Sequence, residues 1–264
     1  MRGRAWHDRA VTKTAAELFD LSGKIAVVTG GSRGLGREMV LAFAKAGADV
    51  VIASRKLANC EEVAREVEAL GRRALPVEFH VGYWDQCDQL ADRVYDHFGR
   101  CDILVNNAGL SPLYPALIDV TEALFDKVIE VNLKGTFRLC AVIGKRMFDG
   151  DGGAIINVSS TASIKPTTTE TVYSAAKAGV NNITVAFAQE YGPKVRVNCI
   201  MPGPFMTDIS KAWDLEAFAE RAETFALRRG GEPEEIVGAA LYFASGASSF
   251  TTGAILRIDG LTAP

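Results

Sequence analysis

Tyr173 and Lys177 stand four residues apart in TVYSAAKAGVNNITVAFAQEYG (171–192), a stretch rich in small residues. The spacing predicts a helix with both side chains on one face. A free phenol ionises near ~10, too high for a base at neutral pH. A neighbouring ammonium and the cationic ring of an oxidised nicotinamide would both favour phenolate and lower that value. Ser160 ends the apolar run AIINVSS (154–160), thirteen residues before Tyr173. Its hydroxyl can hydrogen-bond a carbonyl or alkoxide oxygen. Phenol, ammonium and hydroxyl together suit hydride exchange between a carbonyl and an alcohol. A lone Y-x-x-x-K arises readily by chance, so its weight depends on what accompanies it.

What accompanies it is a glycine-rich turn, TGGSRGLG (29–36), between the apolar run KIAVVTG and REMVLAFAKAG. Gly30, Gly34 and Gly36 enclose Ser32, Arg33 and Leu35 in a G-x-x-x-G-x-G spacing. Glycine lets the backbone turn sharply and lets a pyrophosphate approach a helix N-terminus, where free N–H groups favour anions. Met39 breaks the G-x-G-x-x-G pattern, and Arg37-Glu38 stand where a Walker A loop needs Lys-Ser/Thr. The next apolar run ends Ala53-Ser54-Arg55-Lys56, without the carboxylate that would accept from the ribose 2′-OH of NAD. Ser54, Arg55 and Arg33 instead suit a 2′-phosphate, so NADP(H) is the expected cofactor and NAD(H) the alternative.

The elements that must position these groups alternate in kind. Short apolar runs (24–30, 49–54, 74–79, 102–109, 154–160, 195–200, 254–259) are interleaved with segments of helical period (37–47, 60–71, 85–99, 121–147, 171–192), many of them closed by glycine. Strands apolar on both faces are buried on both faces, so the expected fold is α/β: a single Rossmann-like, doubly wound parallel sheet with helices on both sides. No linker divides the chain. Residues 1–21 read as an N-terminal arm and 22–264 as one dinucleotide-binding and catalytic domain.

Composition removes other classes. Of 264 residues 48% are hydrophobic, too many for general disorder. A net charge of −3 with no basic block argues against nucleic-acid binding. No apolar run approaches ~18 residues, so no membrane segment is expected. The five cysteines, Cys60, Cys87, Cys101, Cys140 and Cys199, are odd in number and widely spaced, as reduced thiols of a cytoplasmic protein would be. His7, His80 and His97 lack partners at ligand spacing, and no metal site is expected.

Taken with NNAG (106–109), the VNL step around Asn132, INVSS, YSAAK and PGPFMT (202–207), the glycine turn makes the chain resemble a short-chain dehydrogenase/reductase over roughly residues 22 to 260. The resemblance implies about seven parallel strands and a catalytic tetrad of Asn132, Ser160, Tyr173 and Lys177. It implies that the asparagine holds a water linking lysine to solvent, and that lysine also binds the nicotinamide ribose. It places Asn106, Ala108 and Gly109 by the adenine ribose, Val81 by adenine, and Pro202, Gly203, Phe205 and Thr207 by the carboxamide. His80 departs from the family's usual acidic residue, and Phe205 is larger than the usual aliphatic.

The expected activity is interconversion of a ketone or aldehyde and an alcohol, in the manner of a 3-oxoacyl or other small-carbonyl reductase. An NAD(H)-linked alcohol or sugar dehydrogenase and a cofactor-binding regulatory protein are the alternatives. The substrate pocket should lie among residues 110–116, 161–169 and a lid from Phe205 to about Arg228. The aromatics Trp213, Phe218 and Phe225 read as lid core. Apolar side chains spread around 121–147 (Phe125, Val128, Val131, Phe137, Leu139, Ile143) and around the next helix (Ile183, Val185, Phe187). That surplus predicts burial against another subunit. The family resemblance adds a second interface near Ala254 to Asp259, and hence a homotetramer.

Overall fold

A computed structural model describes residues 13–208, 210 and 214–262. Seven strands form one sheet: β1 (Ile25–Thr29), β2 (Asp49–Ser54), β3 (Ala74–Glu78), β4 (Ile103–Asn106), β5 (Gly153–Val158), β6 (Val195–Pro202) and β7 (Ile255–Ile258). Their order is β3-β2-β1-β4-β5-β6-β7, and every neighbouring pair is parallel. The winding reverses between β1 and β4, which opens a ligand crevice at the C-terminal ends of those strands.

Alternation along each strand feeds two apolar layers. Ala26 and Val28 of β1, Val50 and Ile52 of β2 and Ile156 of β5 point to one side. There they meet Met39, Val40 and Phe43 of α2 (Gly34–Lys45), Val63 and Val67 of α3 (Leu57–Ala69) and Phe243 of α9 (Val237–Ala244). Val27, Val51, Leu104 and Ile155 point to the other side. They meet Leu90 and Val94 of α4 (Trp84–Phe98), Leu139 and Ile143 of α6 (Gly135–Asp149) and Phe187 of α7 (Thr171–Tyr191). Gly99, just past α4, adopts the left-handed cap that its place in the sequence predicts (φ 73°).

Three departures from the sequence reading have physical causes. The segment 121–147 is not one α-helix. α5 (Glu122–Ile129) passes through a π-helical turn, Glu130–Lys134, into α6. α1 (Ala15–Phe19), opened by a Thr14–Glu17 capping box, lies in the expected arm, and Leu21 behind it is buried in the core. α8 (Leu215–Ala222) and α9 were not anticipated; α9 has little polar face, because it packs against both α2 and the sheet.

Part of the apolar surplus on 121–147 is absorbed internally: Val128, Val131, Leu139 and Ile143 are buried within the chain. Phe125, Phe137 and Val185 remain exposed, as do Ile255 and Leu256 on the edge strand β7. Among the described residues no helix is long and apolar enough to cross a membrane.

Candidate active site

The glycine turn leaves β1 with Gly30 at φ 64° and enters α2 with Gly34 at φ 53°, both in the left-handed region that favours glycine. Gly36 serves a different need. A Cβ there would lie 2.2 Å from the carbonyl oxygen of Gly30, so the helix could not come this close to the turn. The result is a helix N-terminus facing an open cleft of about 470 Å³ whose walls include Ser32, Arg33, Gly34 and Thr207. Ser32 Oγ donates to Ser54 Oγ at 2.9 Å, joining the turn to the end of β2. Two hydroxyls, a guanidinium and free helix N–H groups form a donor set that fits the phosphates of a dinucleotide.

The turn is held from below by the NNAG segment. Thr29 Oγ1 accepts the N–H groups of Asn107 (3.0 Å) and Ala108 (3.1 Å) and donates to the carbonyl of Val105. Asn107 Nδ2 donates to the carbonyls of Thr29 (3.0 Å) and Gly30 (3.3 Å). Asn107, which the sequence reading left without a role of its own, is therefore what ties β4 to the glycine turn. The Asn106 side chain is buried on the α6 side, where Nδ2 donates to Asn157 Oδ1 at 2.9 Å.

Asn132 sits inside the π-helical turn and is fully buried. Its Nδ2 donates to the carbonyls of Leu110 and Val128, both at 2.9 Å, and its Oδ1 accepts the N–H of Leu110 at 3.2 Å. The extra residue of a π turn re-aims one side chain without breaking the helix. Here it clamps the loop after β4. In the sequence Asn132 stood out through the VNL step of the family resemblance and as a polar side chain in an apolar helical run; the π turn itself left no signal. Gly109 lies where Asn132 and Lys177 converge: a Cβ there would be 2.9 Å from Asn132 Oδ1 and 3.5 Å from Lys177 Nζ.

Tyr173 and Lys177 share the face of α7 that their spacing predicts, with the ammonium 5.7 Å from the centre of the phenol ring. Lys177 is 4% exposed and donates to the carbonyl of Val158 at 2.8 Å. Burial pulls its pKa down to about 8, opposed weakly by Cys199. Burial likewise pushes the Tyr173 phenol up to about 12; a hydrogen bond with the Ser160 hydroxyl acts in the opposite direction, and the charge of Glu170 adds to the rise. In the protein without coenzyme, burial is the largest cause and holds the phenol in its protonated form. Ser160 Oγ accepts the N–H of Ala162 at 3.2 Å, which fixes the hydroxyl at the end of β5.

Residues 24–217 match the family model described as short chain dehydrogenase. The chain belongs to the short-chain dehydrogenase family. It is 35% identical to a 3-oxoacyl-[acyl-carrier-protein] reductase of Thermotoga maritima, over 91% of this chain and 98% of that one. It is 36% identical to the D-threitol dehydrogenase of Mycolicibacterium smegmatis, over 92% and 94%. Among solved structures, a gluconate 5-dehydrogenase of Burkholderia cenocepacia in complex with NADP and tartrate superposes with a TM-score of 0.89 at 31% identity, covering 94% of this chain and 98% of that one.

Other expected contacts of this short-chain dehydrogenase divide in two. Thr207 faces the turn, its side chain 3.6 Å from where a Cβ on Gly34 would be. Leu35 lies in the first turn of α2, partly buried against the core. Pro202 ends β6 and Gly203 passes so close to Asp259 that a Cβ would sit 2.6 Å away. Phe205 turns its ring inward: it is buried in the core and packs on Gly231, so it does not crowd the crevice. Val81 is buried and fills the space over Gly135. His80 stacks on Tyr83 at 4.5 Å and its Nδ1 accepts the N–H of Gly82; burial, with Arg55 adding, lowers its pKa. Phe218 and Phe225 contact each other edge to face, and Trp213 lies outside the described residues.

Proposed function

We propose that this short-chain dehydrogenase is an NADP(H)-dependent oxidoreductase that interconverts a ketone or aldehyde and an alcohol. The observation that carries the reading is the meeting of Tyr173, Lys177, Ser160 and Asn132 at the crevice, beside a turn whose donors are Ser32, Arg33 and Ser54. Bound NADP(H) would supply or accept the hydride, and the absence of a carboxylate at the end of β2, where Ser54 and Arg55 stand, supports a 2′-phosphate. Tyr173, protonated at neutral pH, gives its proton to the carbonyl oxygen during reduction. Ser160 donates a hydrogen bond to that oxygen. Lys177, with a pKa of about 8, stabilises the phenolate left behind and returns a proton to it. Asn132 keeps the loop at Leu110 in place and borders the lysine through Gly109.

The assembly proposed is a homotetramer. Exposed Phe125, Phe137 and Val185 would be covered at one two-fold interface and Ile255 and Leu256 of β7 at another. Light scattering at micromolar concentration should give about four times the chain's 28.3 kDa; a mass near 28.3 kDa would exclude both interfaces. The five cysteines, all free and buried, fit a reducing cytoplasmic setting.

Two measurements test the activity. NADPH oxidation over a panel of carbonyl compounds should find substrates, and a panel without turnover would defeat the reading. Removing Arg33 and Arg55 together should weaken NADPH by about tenfold or more per guanidinium, the scale of charge-assisted hydrogen bonds, and leave NADH nearly unchanged. Equal losses for both coenzymes would defeat the assignment of NADP(H).

A further inference from the structure

Glu170 is the residue that caps the N-terminus of α7, three residues before Tyr173. Its backbone is fixed as the residue that opens α7. The carbonyl accepts both the N–H (2.9 Å) and the Oγ (3.1 Å) of Ser174. Its carboxylate is partly buried, and Oε2 accepts the Ser111 hydroxyl at 3.2 Å. Among the described residues no cation pairs with Glu170, and Oε1 has no hydrogen-bond partner. The charge reaches the reacting group, since it is one of the causes that hold the Tyr173 phenol up.

The surroundings make this carboxylate part of a formed wall. Tyr114 N–H donates to the carbonyl of Thr169, and Val172 N–H donates to the Tyr114 hydroxyl at 3.1 Å, so the loop after β4 and the entry to α7 are joined on both sides of Glu170. Tyr114, Val172 and Val128 pack beneath that junction as a small apolar cluster, with Leu110 and Tyr173 against it. Among the described residues the wall thus carries one unpaired negative charge with spare acceptor capacity, on the apolar cluster that Tyr173 also packs against.

We propose that Glu170 determines substrate specificity, admitting neutral carbonyl compounds that bear a hydroxyl near the reacting carbon and disfavouring those that bear a carboxylate there. This rests on the carbonyl–alcohol reading of the site. A hydroxyl one or two carbons from the carbonyl donates to Oε1, where ionised oxygens accept strongly. A carboxylate in the same place meets a like charge with no cation to offset it, which is discrimination by repulsion.

The test uses three compounds of similar size, 4-hydroxy-2-butanone, methyl acetoacetate and acetoacetate, with wild type and Glu170→Gln. Gln keeps an acceptor for Ser111 and removes the charge. For wild type, kcat/KM should fall in the order given. In E170Q acetoacetate should gain on the hydroxyketone by about tenfold or more, mainly through KM, as like-charge contacts predict. The apparent pKa of the pH profile should also fall, because a negative charge has left the side of the phenol. A structural role alone would lower all three compounds together and leave the profile in place. Binding of the three compounds to the NADP⁺-loaded protein, followed by ligand-observed NMR, gives the same order without turnover. An altered binding order with no turnover would uphold Glu170 and defeat the oxidoreductase reading. Turnover with an unchanged order would overturn the role of Glu170 alone. Failure of the hydroxyketone to bind wild type would overturn it as well.

Discussion

On the coenzyme side of the crevice, the ends of β1, β2 and β4 are joined by side chains that leave the backbone no choice. Thr29 and Asn107 connect β1 to β4, Ser32 connects the turn to Ser54, and Gly36 lets α2 press on Gly30. On the substrate side, residues 110–120, 161–170, 203–208 and 223–230 are mostly loops and short turns. There Leu117 is 53% and Ile118 91% exposed. One side is a tight backbone mould for a ligand of fixed shape. The other is a rim whose side chains can be exchanged at little cost to the fold, as expected where a rigid scaffold carries variable loops. Tyr173 in α7 and Glu170, the residue that caps that helix, mark the boundary: on the reading proposed above the first serves the chemistry and the second the choice of substrate.

The sharpest break between the two sides should come at that boundary. Tyr173→Phe keeps the ring and removes the transferable proton. Turnover should fall at least ~100-fold while coenzyme binding, measured by NADPH fluorescence, stays within about twofold. Near-normal turnover would mean that the phenol is not the proton donor.

Gly36→Ala tests the mould. The added methyl meets the Gly30 carbonyl at 2.2 Å. Stability in urea should drop by about 1–3 kcal/mol, the range for overpacking, and NADPH affinity should fall with it. A variant as stable as wild type would show that the turn yields.

Linkage separates the buried floor from the rim. Lys177 falls to about 8 in the fold against 10.5 ordinarily, so between those values the unfolded chain binds more protons and stability rises with pH. Tyr173 rises to about 12 from 10, so above pH 10 the folded chain binds more protons and its contribution to stability falls. The urea midpoint should therefore gain between pH 8 and 10 in wild type, and Lys177→Met should lose that rising limb. Parallel pH profiles for the two proteins would contradict a buried lysine of lowered pKa.

The smallest effect belongs to the rim. Leu117→Ala, at a half-exposed loop position, should change stability by less than about 0.5 kcal/mol. KM for an apolar carbonyl compound should shift more than KM for NADPH. A larger stability loss would mean that the rim is as fixed as the mould.

Local chemistry made much of this legible from the chain itself. Strands buried on both faces, glycines that must turn or admit a helix, and a tyrosine and lysine at helical spacing all follow from nearest-neighbour geometry, which sequence carries directly. The sheet and the glycine turn were therefore readable, as was the shared face of Tyr173 and Lys177. What tertiary structure decided depends on contacts between distant segments. The π-helical turn at Asn132 comes with a hydrogen bond from its amide to a loop 22 residues away. The Asn106 amide donates a hydrogen bond to Asn157 on the next strand, and the Phe205 ring lies where only a glycine at 231 leaves room. The sign of the Tyr173 shift is also non-local: sequence placed a lysine beside it, but only the assembled layers set how completely water is removed. Spacing along a chain fixes which groups share a face; packing between elements fixes the medium in which their charges act.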